Sequence, residues 1–314
     1  MSREPAREYG NGRIGVGAAA LALLASFLWG GTQPFIKLGL DGLPPLMMAA
    51  ARFGVGWLIM AGAVRWRRVP LALNPGELRG LAGLTCLFFV QIYLLNKGTA
   101  HTSAIRSSIL IATHPFWIAG LCHFLVPGDR LSLRKAVGMA LAFSGVLLIF
   151  ADSIGSAGDL ARSSSTMLSV WQQEHIVGDA LILGSAAFLG ARIVVMKRLV
   201  RGLDPLKLLF WQFLLAVPLF AAASAIVESD APIQLTPQVV GAVLYQGVVV
   251  AGFCFIVWIH LLQRYSASRL GAFSFTTPVL GVTLSVLLVG DTLAIEHLAS
   301  VVLVAAGILI VERA

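Results

Sequence analysis

Charge is what this 314-residue chain has least of. Only 12% of its residues are Asp, Glu, Lys or Arg, about half the soluble average, and acids number 15 against 23 bases. With a mean hydropathy of +0.86, too little polar surface remains to coat a globule, which excludes a soluble enzyme, a disordered tail protein and a coiled coil. Cysteine is nearly missing as well. Cys86, Cys122 and Cys254 are isolated, odd in number and set in apolar runs, so neither a disulfide framework nor a zinc cluster is readable. No Gly-rich loop ends in Lys-Ser or Lys-Thr, which excludes a Walker-type nucleotide site. No His-Glu-x-x-His motif and no paired acids occur, so no catalytic residue, metal or cofactor is expected.

What is present is apolar residue, 58% of the chain before its 32 glycines are added. A bilayer core needs about 20 helical residues per crossing, and ten runs meet that length, near 15–38, 44–64, 79–97, 102–126, 134–151, 178–197, 205–227, 237–262, 266–289 and 295–311. Without water each must be helical. The expected fold class is an all-α integral membrane protein of ten transmembrane helices. The first run also has the look of a secretory signal, since Arg13 precedes it and Ala22 to Ser26 are small; it continues past that point through Trp29, Pro34 and Ile36, so a span is the expectation. The net charge of +8, which in a soluble protein suggests nucleic acid, marks cytoplasmic loops in a membrane protein. With the N-terminus inside, one face collects Arg65, Arg67, Arg68, Arg130, Arg134, Lys135 and most other bases, while the other receives only Lys37, Lys97 and Arg162. Residues 1–14 then form a cytoplasmic tail, both termini are cytoplasmic in an inner (plasma) membrane, and 152–177 is an external connector. The bilayer and a small-molecule substrate are the expected partners, nucleic acid is not, and the length suits a monomer or homodimer.

The sequence also repeats itself. Ser103-Ala104-Ile105-Arg106 leads to Pro115, and Ser266-Ala267-Ser268-Arg269 leads to Pro278 at the same spacing. Gly128-Asp129-Arg130-Leu131 is answered by Gly290-Asp291-Thr292-Leu293, and Phe27-Leu28 with Lys37 by Phe188-Leu189 with Lys197. Each unit, 15–151 and 178–311, holds five spans. An odd number forces the second to sit inverted relative to the first, the architecture of alternating-access transporters.

These residues resemble a known family. Tyr265-Ser266-Ala267-Ser268-Arg269, Phe273-Ser274-Phe275-Thr276-Thr277-Pro278-Val279 and Leu288-Val289-Gly290-Asp291, with Trp29-Gly30, Lys37, Ala51-Arg52-Phe53 and Thr102-Ser103-Ala104 in the first unit, are similar to the EamA-type transporters of the drug/metabolite transporter superfamily. The chain carries Gly-Asp where that family usually has Gly-Glu, which keeps the charge and the capping ability. The resemblance implies ten helices with both termini inside and metabolite transport, with amino-acid export as its lean. The resulting expectation is a secondary transporter working by alternating access. A transport-inactive scaffold and an intramembrane enzyme are the rivals.

Polar residues inside the spans are the candidate site, because ionisable groups in a bilayer are costly. Trp29, Thr32, Gln33 and Pro34 form a patch with two glycines at mid-membrane; it reads as a cavity at a broken helix or as close packing of small residues. His114 beside Pro115 either lines that cavity or bonds a carbonyl freed by proline. Gln91, Tyr93, Asn96, Tyr245, Gln246, Ser274 and Thr276 are further candidate contacts, the aromatics to stack and the amides to orient. Arg52 reads as an anion contact or as a structural anchor, and the family's Arg at this place favours the anchor; its repeat partner is Gln212. Arg106 and Arg269 read as gating or anchoring groups. Arg192 and His260 are expected to snorkel to the interface. Pro34, Pro115 and Pro278 are the expected bending points.

Overall fold

A computed structural model describes residues 14–102, 104–126, 129–149, 168–277 and 295–314. Among them every regular element is helical. The first span breaks into α1 (Val16–Gly30) and α2 (Thr32–Leu40). Two long helices follow, α3 (Pro45–Arg67) and α4 (Pro75–His101), and then a second broken span, α5 (Ala104–Ile111) and α6 (His114–Leu125). Helix α7 (Leu133–Ile149) precedes α8 (Leu168–Leu199) and α9 (Pro205–Val227). Next comes a compound span in which α10 (Pro237–Leu244) runs through a π-helix (Tyr245–Cys254) into α11 (Phe255–Arg264), followed by α12 (Ala267–Phe273) and α13 (Ile295–Glu312).

Seven helical stretches among the described residues are long and apolar enough to cross a bilayer: 16–40, 45–67, 75–101, 107–125, 176–199, 205–227 and 237–264. Helices α7 and α13 coincide with the expected fifth and tenth spans, and α12 with the start of the ninth, whose residues beyond 277 lie outside the described residues. Helix α8 begins at Leu168, within the stretch 152–177 expected as a connector; no proline between there and Gly178 stops the helix.

Local chemistry fixes the boundaries. Proline opens α3, α4, α9 and α10, where its missing N–H has no intrahelical partner to lose. Asn74 and Glu77 form a capping box on α4, and Asp204 accepts from the Leu206 and Lys207 amides to cap α9. Helix α3 stops at Arg68, in the left-handed region with φ 52.

The packing pairs elements across the sequence: α3 lies on α9, α4 on α8, α6 on α12 and α7 on α13. Helices α7 and α13 meet backbone to backbone, since a Cβ on Gly138 would stand 2.8 Å from the Gly307 carbonyl oxygen; small residues permit that approach in lipid. At the centre, α3, α4, α9 and α11 contribute Phe53, Phe88, Phe213, Phe220 and Phe255, all buried, with Phe53 and Phe88 edge to face at 4.6 Å. This aromatic block forms the floor of the polar site described next.

Candidate functional site

The break in the first span falls at Gly31. A Cβ there would come 2.6 Å from the Tyr245 hydroxyl oxygen. That hydroxyl donates to the Leu28 carbonyl at 2.5 Å, and the Tyr245 ring stacks on Phe35 at 4.0 Å. The neighbouring Gln246 donates from Nε2 to the Thr32 carbonyl at 2.8 Å. Two consecutive π-helix residues thus hold the two ends of the broken span, the Thr32 hydroxyl being buried beside them without a partner. Pro34 is exposed and occupies the third position of α2; without an N–H it cannot bond the Gly30 carbonyl four residues back, the residue at which α1 ends.

Arg52, 2% exposed, organises the other side. Its Nη1 donates to Gln246 Oε1 and its Nη2 to Asn96 Oδ1, both at 3.2 Å, and its guanidinium lies 4.7 Å from the Phe53 ring centroid. Asn96 in turn donates to the Pro45 carbonyl at 2.8 Å. The fork of Arg52 is therefore occupied by two amides, which fits the anchoring reading. Its repeat partner Gln212 is fully buried with neither amide atom paired.

Arg192 departs from its expected place. Instead of snorkelling it is 6% exposed, with its guanidinium 4.9 Å from the Phe88 centroid and 5.4 Å from that of Phe255. Nε and Nη1 are buried and have no hydrogen-bond partner. Among the described residues the ion pairs are Lys135–Asp129 and Lys207–Glu77, and no carboxylate pairs with Arg192. Among the described residues, the aromatic centre of the bundle thus carries two guanidinium groups, neither paired with an acid. The sequence placed this residue at the interface because it stands five residues before Lys197, and the polar residues of α8 form no single stripe that would show which face turns inward.

The remaining candidates divide. Trp29 joins the aromatic wall, edge to face with Phe255 at 6.1 Å and Trp258 at 5.0 Å. Gln33 accepts from the Thr99 hydroxyl at 3.1 Å, and Ser107 donates to the same hydroxyl at 3.3 Å. His114 opens α6, with Nδ1 2.8 Å from the Ile111 carbonyl. A carbonyl only accepts, so Nδ1 carries a proton. Buried Pro115 follows it at the α5–α6 break. Away from the cluster, Gln91 and Ser185 tie α4 to α8 at 3.2 Å, Tyr93 packs half-buried on the core, and Thr276 bonds the Phe273 carbonyl at 2.6 Å beside buried Ser274. Arg269 is half-buried, with Nη1 unpaired. Arg106 is on α5, but its side chain, like Pro278, lies outside the described residues.

Two lysines matched in the repeat play one role. Lys37 Nζ donates to the Thr99, Ala100 and Thr102 carbonyls at 3.2–3.3 Å, closing the end of α4. Lys197 Nζ donates to the Leu262 and Tyr265 carbonyls at 2.6 and 2.5 Å, closing the end of α11. Cations suit helix C-termini, where carbonyls lack partners. Carboxylates do the converse: Glu228 accepts from the Leu46 and Met47 amides at the start of α3, and Asp129 accepts from the Ser268 amide and hydroxyl at the start of α12. Burial works against the Asp129 charge, but the Ser268 hydrogen bonds and the Lys135 ammonium outweigh it and hold this carboxyl below its ordinary value. Among the described residues no group of three or more His, Cys, Asp or Glu comes together as a metal site.

Comparison with known proteins places this arrangement. A family model described as "EamA-like transporter family" matches residues 16–151 and again 176–313. The "Uncharacterized transporter YoaV" of Bacillus subtilis is 22% identical over 284 residues, covering 90% of this chain and 92% of its own. A "Probable amino-acid metabolite efflux pump" of Salmonella typhimurium is 29% identical over 295 residues, 92% of this chain and 93% of its own. A protein of the same name from Escherichia coli is 26% identical over 298 residues, with the same coverage. One solved crystal structure shares the fold, with a TM-score of 0.73 and 18% identity over 94% of this chain and 96% of that one.

Proposed function

The chain belongs to the EamA-like transporter family, a multi-pass membrane protein, and from that premise we propose that it exports a small amino-acid-like metabolite as a secondary transporter working by alternating access. Its working parts are two inverted five-helix repeats, 15–151 and 178–311, with both termini cytoplasmic in the inner membrane. The family model's two matches and the pairing of α3 with α9, α6 with α12 and α7 with α13 support that reading. The observation that carries the function is the central cluster. Thr32, Arg52 and Asn96 from one repeat meet Tyr245 and Gln246 from the other at a broken helix and a π-helix, and transporter sites form where irregular backbone lines the midplane between repeats. A scaffold has no use for a buried, incompletely paired polar centre, which costs stability in a low-dielectric interior.

The test is counterflow in proteoliposomes with labelled amino acids and related metabolites, with and without an imposed pH gradient. Accumulation of one class establishes transport and names the cargo. Trp29→Ala, Gln33→Ala and His114→Ala should each weaken it; if all three leave flux intact in folded protein, the site is placed wrongly. Single cysteines on either side of His114, introduced after replacing Cys86, Cys122 and Cys254, should change accessibility with cargo, which a static scaffold does not do.

A further inference from the structure

We infer that Arg192 is the docking point for a carboxylate, so that the molecule accepted at the centre of the bundle is a small organic acid or amino acid with an apolar body. The inference rests on the transport reading and sharpens it. Among the buried cations of the described residues, Lys135 finds Asp129, Lys197 finds carbonyls, Lys207 finds Glu77 and Arg52 finds two amides. Arg192 alone is 6% exposed with two guanidinium nitrogens unpaired. A buried charge left in that condition is costly unless something else completes it.

The geometry says what completes it. Phe88 and Phe255 lie against the guanidinium at 4.9 and 5.4 Å, which orients the group through its π contacts. The unpaired Nε–H and Nη1–H groups lie on different edges of the guanidinium, and each offers a carboxylate oxygen a charge-assisted hydrogen bond. Arg52 is the poorer docking point, because both terminal nitrogens already donate to amides and only Nε is unpaired, yet it lies over Phe53, whose ring is 4.6 Å from the Phe88 ring that Arg192 covers, and its charge adds to the attraction for an anion. A cationic cargo would instead meet two positive charges with no acid to offset them. Trp29 and Trp258, packed edge to face at 5.0 Å beside Phe255, supply an apolar surface for the body of the molecule.

The experiment compares 3-phenylpropionate, its amide and phenethylamine as ligands of the purified protein, by thermal stabilisation in detergent and by competition in phenylalanine counterflow. Wild type should be stabilised by the acid and by neither neutral nor cationic analogue. Arg192→Gln should weaken the acid about 10- to 100-fold, the range expected when hydrogen bonds to a charged group are lost. Arg192→Lys, which keeps the charge but loses the planar set of N–H donors, should fall between them, and exposed Arg201→Gln should bind as wild type does. If Arg192→Gln does not fold, the lysine variant and the wild-type selectivity decide. Equal affinity in folded Arg192→Gln, a wild-type preference for the amine, or no response to any of the three would overturn the inference. Carriage of the amine alone would leave the transport reading standing, whereas Arg192-dependent stabilisation without flux would support the docking point and sink the transport reading.

Discussion

The tightest test of the broken first span is Gly31→Ala. Gly31 has φ −73 and ψ −8, a backbone that alanine adopts without strain, so the cost of the substitution is steric. The new methyl would stand 2.6 Å from the Tyr245 hydroxyl oxygen and 3.0 Å from Cζ, and the phenol must withdraw. Withdrawal breaks the bond to the Leu28 carbonyl, about 1 kcal/mol, and loosens the Phe35 stack, about 1 kcal/mol. Alanine's smaller loss of chain entropy offsets about 0.4–1 kcal/mol of that. The net expectation is a destabilisation of about 1 kcal/mol. In a Tyr245→Phe background there is no hydroxyl bond left to break, so the same change should be close to neutral. A four-variant cycle read by denaturant unfolding in micelles should therefore give a coupling near 1 kcal/mol. Additive effects, with Gly31→Ala costing the same in both backgrounds, would refute the claim that Tyr245 holds the break.

Other consequences can be checked on the same preparations. Lys197 is 1% exposed and Lys37 half-buried, so Lys197→Met should lose about 2–4 kcal/mol by leaving two carbonyls unpaired and Lys37→Met clearly less, read as unfolding midpoints. Asp129 sits below its ordinary value when folded. Its contribution is thus complete above the unfolded value of about 4 and lost as pH falls through the lower folded one; Asp129→Asn should flatten the acid side of a melting-temperature profile and leave its neutral slope alone. Glu228→Ala should cost about 1–2 kcal/mol, typical of a lost N-terminal cap, while Glu228→Gln, still able to accept, costs less.

The sequence carried the apolar spans, their proline-opened ends and the family resemblance plainly, because each is written in local composition. It also singled out the stretch around Trp29 to Pro34, and the helix is interrupted there, at Gly31, in the turn before Pro34. What local composition could not show is the tyrosine 214 residues away that packs against Gly31, since the two are distant in sequence and close in space. His114 and Pro115 were legible as a break for the same local reason as Pro34, proline acting on its own turn. Arg192 was not. In a soluble helix the polar stripe shows which face is outward, whereas the polar residues of α8 form no such stripe, and proximity to Lys197 suggested an interfacial group. The π-helix was equally silent, as Tyr245–Cys254 reads like any helix rich in small residues.

The two lysine caps carry a mechanical consequence. Lys37 reaches a carbonyl 62 residues ahead of it and Lys197 one 65 residues ahead, so each closes a loop of nearly equal length inside its own proposed repeat. Each repeat is therefore belted, its first and third spans obliged to travel as one piece. Motion between two belted bodies must be taken up at the bonds that cross from one to the other, among them Arg52 to Gln246, Tyr245 to Leu28, Gln246 to Thr32 and Gln91 to Ser185. Distance labels placed within a belt should stay still through the cycle, and those spanning these contacts should report it.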